Sequence, residues 1–118
     1  MTKYTLYIGL NDKDTKKQEI QTLEAFKVSA NIFKALTGGA TISEAQGIYT
    51  HDNGDIVIEK TLRCEVYGAT LEAITQAADQ LKTALNQESI LIETADINTK
   101  FIWQDNAEPG GISRQKRI

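Results

Sequence analysis

The first ten residues alternate between apolar and polar side chains. The large apolar residues share one parity: Tyr4, Leu6, Ile8 and Leu10. A period of two is the pattern of a half-buried strand, because successive side chains of a strand point to opposite faces. We therefore predict a first strand over Tyr4–Leu10.

Two later segments repeat apolar residues at spacings of three and four, the pattern of an amphipathic helix. The first segment follows the polar stretch Asn11–Lys17, whose Asp and Thr side chains can accept from free helix N–H groups. We predict that this helix begins near Thr15 and ends at Gly38, which supplies a left-handed stop. The second segment predicts a helix that opens near Thr70.

Between the helices lie two β-rich runs, Thr41–Thr50 and Ile56–Tyr67, separated by a segment that contains Asn53 and Gly54. Asn-Gly is a strong hairpin signal, because a type I′ turn needs positive φ at both central positions. The pattern predicts a hairpin with these two residues as its turn.

That turn sets the pairing of the two strands and places Glu44 opposite Arg63. One face of the hairpin is then the predicted core face: Ala45, Tyr49, Ile56, Ile58, Leu62, Cys64 and Val66. The open face carries an apolar group: Ile42, Ile48, Val57 and Tyr67. A soluble monomer rarely exposes that much apolar surface on one sheet face.

A further strand is predicted over Ser89–Ala95, so the order of elements is strand, helix, strand, strand, helix, strand. With right-handed crossovers, this order favours a ferredoxin-like α+β fold with a four-stranded antiparallel sheet and both helices on one face. The alternative is an α+β meander with the last segment detached. We expect one domain over residues 1–103 and a mobile basic tail over residues 104–118.

Composition limits the number of domains and the kinds of partner that the chain can have. The 118 residues suffice for one domain, and a net charge of −3 predicts neither nucleic acid nor an anionic membrane as a partner. No apolar run is long enough to span a bilayer and the first residues lead straight into a strand, which predicts a cytoplasmic protein.

Three short segments resemble a family of small uncharacterised bacterial proteins. They are Leu6–Leu10, Gly39–Gly47 with its Gly-x-Thr-hydrophobic-x-x-Ala-Gln-Gly pattern, and Gln87–Leu91. The resemblance implies a ferredoxin-like fold and no known activity. The opening also looks similar to small reading frames of phages of Gram-positive bacteria, which implies an accessory role in a mobile element.

Residues suited to acid–base, metal or thiol chemistry are few. The single His51 lies beside turn-forming residues, and the single Cys64 falls on the predicted core face, where a thiol is poorly ionised. We therefore predict no metal, no cofactor and no catalytic residue, which favours a binding module over an enzyme.

Two functions for the open face remain. The first is a homodimer interface through Ile42, Ile48, Val57 and Tyr67, since a two-fold contact buries the same patch twice. The second is a cleft for a small-molecule ligand or substrate, formed by Tyr7, Tyr49, Glu59 and Arg63.

Overall fold

The computed structural model describes residues 1–104. Four strands and two helices follow one another in the predicted order: β1 Thr2–Gly9, α1 Thr22–Thr37, β2 Thr41–Thr50, β3 Ile56–Tyr67, α2 Leu71–Ala84 and β4 Leu91–Asp96. The predicted basic tail, apart from Gln104, lies outside the described residues.

The four strands form one antiparallel sheet in the order β2-β3-β1-β4. Each half of the chain contributes a strand–helix–strand unit, and β1 and β3 lie side by side at the centre of the sheet. This is the predicted ferredoxin-like arrangement. The meander alternative is wrong, because β4 is paired with β1 from Thr2↔Asp96 to Tyr7↔Leu91.

The core lies between the helices and the even-numbered face of the sheet. Its fully buried side chains come from both layers: Leu6, Ile8, Leu62, Cys64, Phe33, Ile74 and Leu81. Burying each large apolar side chain contributes about 1.5–3 kcal/mol, so this layer supplies most of the stability. Neither helix of residues 1–104 is long and apolar enough to cross a membrane.

The first helix begins at Thr22, so the predicted start near Thr15 is wrong. Asp12 does accept from backbone N–H groups, but its Oδ1 binds Asp14 N at 2.8 Å and Thr15 N at 3.1 Å in a closed loop. Lys16, with a φ of 64°, turns the chain back at this point. The predicted stop is confirmed, since Gly38 has a φ of 79°.

The turn of the hairpin has three residues, not the predicted two. His51 N donates to Asp55 O at 2.8 Å, and Gly54 N donates to His51 O at 2.9 Å. Gly54 has a φ of 90°, whereas Asn53 keeps a negative φ and uses its side-chain Oδ1 to accept from Asp55 N. A type I turn followed by one left-handed residue therefore replaces the type I′ turn.

The extra turn residue shifts the pairing of β2 by one position. Ser43, not Glu44, lies opposite Arg63, and Glu44 lies opposite Leu62. Because side chains alternate, a shift by one residue moves all of β2 to the other face. Ala45 and Tyr49 thus lie on the open face and not on the core face.

The predicted dimer patch is divided by this shift. Ile42 packs against the core beneath the helices, and Ile48 lies on the same face beyond the helices, 69% exposed. Val57 and Tyr67 lie on the open face. The four residues do not form one surface, because Ile42 and Ile48 share the parity of buried Leu62 and Cys64.

Candidate functional site

A cavity of about 610 Å³ opens on the sheet face opposite the helices. Its floor is formed by odd-numbered residues of three strands: Tyr7, Gly9, Ala45, Gly47, Tyr49, Glu59 and Thr61. Its walls come from three connections: Asn11–Lys16, the hairpin end at His51, and Gln87–Leu91. The volume falls in the range of small-molecule sites.

Glu59 lies on the cavity floor between two glycines of the neighbouring strands. Its Oε2 accepts from Asn11 N at 3.0 Å. A Cβ added to Gly9 would lie 2.4 Å from Glu59 Oε1, and Gly47 lies directly opposite Glu59 in the ladder. A side chain at Gly9 would therefore occupy the position of the carboxylate. Within residues 1–104, Glu59 forms no ion pair.

Aromatic side chains line the same cavity as this carboxylate. Partial burial, and then the charge of Glu59, raises the pKa of the Tyr49 phenol above its ordinary value. The His51 ring stands edge-on to the Tyr49 ring with centroids 5.5 Å apart, and Tyr7 lines the cavity from β1. An acidic group in a cavity lined by aromatic rings is an arrangement that attracts cations.

Arg63 belongs to a neighbouring network and does not line the cavity. Its guanidinium lies 5.9 Å from the centroid of the Tyr7 ring and forms an ion pair with Glu65. Tyr7, and then Glu65, raises the pKa of Arg63. Glu65 also binds Lys3 Nζ at 2.9 Å and accepts from the Tyr67 hydroxyl at 3.2 Å, and Lys3 and then Arg63 lower its pKa.

The structure thus brings three of the four predicted ligand residues, Tyr7, Tyr49 and Glu59, around one cavity. Sequence reasoning missed the glycines and the loop wall, since it interpreted the acidic residues of the loop as helix caps. One signal was present: Gly9 and Glu59 have the same parity as Tyr7 on strands that a ferredoxin-like order makes neighbours.

The loop wall is tied to the end of α2. Asn86 Nδ2 donates to Asp12 Oδ2 at 2.8 Å and to Asp14 Oδ2 at 2.9 Å. Gln87 Nε2 donates to Asn11 O at 2.9 Å. These contacts join residues more than 70 positions apart in the chain, so the loop is set by tertiary structure.

The single thiol lies on the other side of the sheet. Cys64 is fully buried, as predicted for the core face, and burial raises its pKa to about 12. A thiol in that environment is not an activated nucleophile. Within residues 1–104, no group of three His, Cys, Asp or Glu side chains could hold a metal ion.

Solved structures of similar fold exist. A phage SAM lyase in complex with S-methyl-5′-thioadenosine has 21% identity and a TM-score of 0.61, over 80% of this chain and 80% of that chain. The periplasmic divalent cation tolerance protein CutA from Archaeoglobus fulgidus has 16% identity and a TM-score of 0.55, over 86% and 88%. The divalent ion tolerance protein CutA1 from Ehrlichia chaffeensis has 16% identity and a TM-score of 0.51, over 84% of each chain.

No family model matches the chain, and no curated protein matches it. At 21% identity and below, the similarity to the solved structures shows a shared ferredoxin-like fold.

Proposed function

We propose that the open-face cavity binds a small cationic nucleoside, and that the protein acts on S-adenosylmethionine (SAM) as a lyase. In the proposed step the SAM carboxylate attacks the γ-carbon of the aminobutyrate chain, and the bond from that carbon to sulfur breaks with its electron pair left on sulfur. The products are S-methyl-5′-thioadenosine and homoserine lactone. The observation that carries the proposal is the Glu59 carboxylate, which has no cationic partner within residues 1–104 and lies in a cavity lined by Tyr7 and Tyr49.

The chemistry of SAM complements this arrangement. Its sulfonium is a cation without N–H or O–H donors, so it is bound by charge and by ring faces and not by directed hydrogen bonds. A cation over a tyrosine face gains about 0.5–2 kcal/mol, more where water is excluded. Its adenine ring can stack on the aromatic wall of Tyr49 and His51.

The phage SAM lyase supports this choice of ligand, because it has the same fold over most of both chains and was solved with a nucleoside thioether bound. Its phage origin also agrees with the role in a mobile element that the opening of the sequence suggests. A ligand-binding protein with the same cavity differs from the lyase in whether the ligand leaves unchanged.

The test measures binding and cleavage separately. Titration calorimetry with SAM and with S-methyl-5′-thioadenosine measures binding, and mass spectrometry of a SAM incubation detects the thioether as the product. Glu59→Gln keeps the size of the side chain and removes its charge, so it should weaken SAM binding about tenfold.

Glu93→Gln is the matched control, since Glu93 is exposed on the same sheet face but lies outside the cavity. Binding of neither nucleoside by the wild-type chain, or equal loss in both variants, contradicts the proposal. Binding without product leaves a SAM-binding module and contradicts the lyase.

A second candidate function is self-association into a homodimer. Ile48 and Ile58 face each other across the hairpin and are 69% and 60% exposed, and the adjacent Ile56 is 71% exposed. These three residues form an isoleucine patch on the face opposite the cavity, beyond the end of the helical layer. A two-fold contact through the isoleucine patch covers it in both chains and leaves the cavity open.

Light scattering at low micromolar concentration should then report about twice the 13.1 kDa of one chain. Ile48→Asp should halve that mass without unfolding the protein. Leu71→Asp is the control, since Leu71 is 62% exposed and lies outside the patch. A monomeric wild-type chain, or a dimer that survives Ile48→Asp, contradicts this function.

A further inference from the structure

We infer that the loop Asn11–Lys17 binds an anionic group of the ligand, a carboxylate or a phosphate, so that the cavity selects a ligand with charges of both signs. The inference extends the proposed function, and it rests on that function for the binding of the cationic group of the ligand. Its own basis is a pair of lysines that line the cavity without forming an ion pair within residues 1–104.

Two lysines of the loop, Lys13 and Lys16, line the cavity and form no ion pair within residues 1–104. Their neighbour Lys17 differs, since it lies 3.9 Å from Glu19 and outside the cavity. Two ammonium groups without an ion pair at one end of a cavity can donate hydrogen bonds to an anion. The carboxylates of Asp12 and Glu88 line the same end, so recognition depends on these donors and not on a net positive charge.

The nearby carboxylate of Asp12 keeps its negative charge but forms no ion pair with either lysine, since its oxygens accept hydrogen bonds within the loop and from Asn86. Its Oδ1 accepts from Asp14 N and Thr15 N, and its Oδ2 accepts from Asn86 Nδ2. Asp12 therefore orders the loop, and within residues 1–104 no carboxylate lies within ion-pair distance of Lys13 or Lys16.

The backbone of the loop is set before any ligand arrives. Lys16 N donates to Asp12 O at 2.9 Å, and Asp12 N donates to Lys17 O at 2.8 Å. These bonds hold Lys16 at a φ of 64°, a conformation that costs a non-glycine residue about 1 kcal/mol. A preset backbone lowers the ordering cost that a flexible loop would add to binding.

The part of the cavity that would bind the cation and the part that would bind the anion meet at Asn11. Asn11 N binds Glu59 Oε2 at the floor, and the loop that carries both lysines starts at Asn11. Opposite charges thus share one cavity of about 610 Å³. SAM carries a sulfonium, an ammonium and a carboxylate, whereas S-methyl-5′-thioadenosine carries no charge, so cleavage would remove both attractions and favour release of the thioether.

The test uses two ligands that differ only in the carboxylate: S-adenosylhomocysteine and its decarboxylated form. Neither has a sulfonium, so neither is cleaved during a titration. The wild-type chain should bind the carboxylate form about tenfold more tightly. The double variant Lys13→Gln/Lys16→Gln should bind both forms equally, while Lys17→Gln should keep the wild-type preference.

Equal binding of the two forms by the wild-type chain overturns the inference and leaves the proposed function standing if S-methyl-5′-thioadenosine binds. If no nucleoside binds, the proposed function fails, and titration with inorganic phosphate decides the inference alone. The inference is then supported if phosphate causes saturable shifts of the NMR amide signals of Asn11–Lys17 in the wild-type chain and causes none in the double variant. Absence of such shifts in the wild-type chain overturns it.

Discussion

Replacing Gly9 with Ala tests how Glu59 is held on the floor of the cavity. The added Cβ would lie 2.4 Å from Glu59 Oε1 and 2.7 Å from its Oε2, far inside contact distance. Gly9 has no left-handed φ, so the backbone accepts Ala without strain. The carboxylate must therefore move and lose its 3.0 Å hydrogen bond from Asn11 N.

The size of the effect follows from two opposing terms. The lost hydrogen bond to the charged carboxylate costs about 1.5–2 kcal/mol, and displacing the flexible end of the Glu59 side chain adds little. Ala in place of Gly in a strand recovers about 0.5–1 kcal/mol, because Ala loses less conformational freedom on folding. The free energy of unfolding of Gly9→Ala should fall by about 1 kcal/mol.

A double-mutant cycle separates the two terms. In a Glu59→Ala background the three atoms nearest to the new Cβ are removed, so Gly9→Ala should stabilise the chain by about 0.5 kcal/mol. The unfolding free energies are measured by urea titration followed by circular dichroism. If Gly9→Ala has the same effect in both backgrounds, the carboxylate does not lie over Gly9 and the description of the site is wrong.

Three further predictions concern the scaffold. Thr70→Ala should lower the unfolding free energy by about 1 kcal/mol, since Thr70 Oγ1 accepts from Ala73 N at 3.1 Å; an unchanged urea midpoint would contradict the cap. Cys64 should react with a thiol reagent only after unfolding, because burial raises its pKa to about 12. Because Lys3 lowers the pKa of Glu65, Glu65→Gln should be less stable than wild type at pH 7 by about 1 kcal/mol. Acid titrations of the two chains should converge as the pH falls through the lowered pKa of Glu65 and the carboxylate protonates.

Features that depend on near neighbours in the chain could be predicted from the sequence. The alternation of Tyr4–Leu10 predicts β1, and the spacing of apolar residues after Thr70 predicts α2, because side-chain periodicity reflects which face is buried. The stop at Gly38 is likewise local, since glycine adopts the left-handed φ at no steric cost. The order of these elements was enough to predict the ferredoxin-like sheet.

Features that depend on distant residues were decided by the tertiary structure. A hairpin turn of three residues or of two fits the sequence around Asn53 almost equally well, yet the choice places Tyr49 on one face of the sheet or the other. The start of α1 moved to Thr22 because Asn86, at the end of α2, holds Asp12 in a loop. The site itself joins Gly9 and Glu59 across 50 residues, a proximity that only the pairing of β1 with β3 creates.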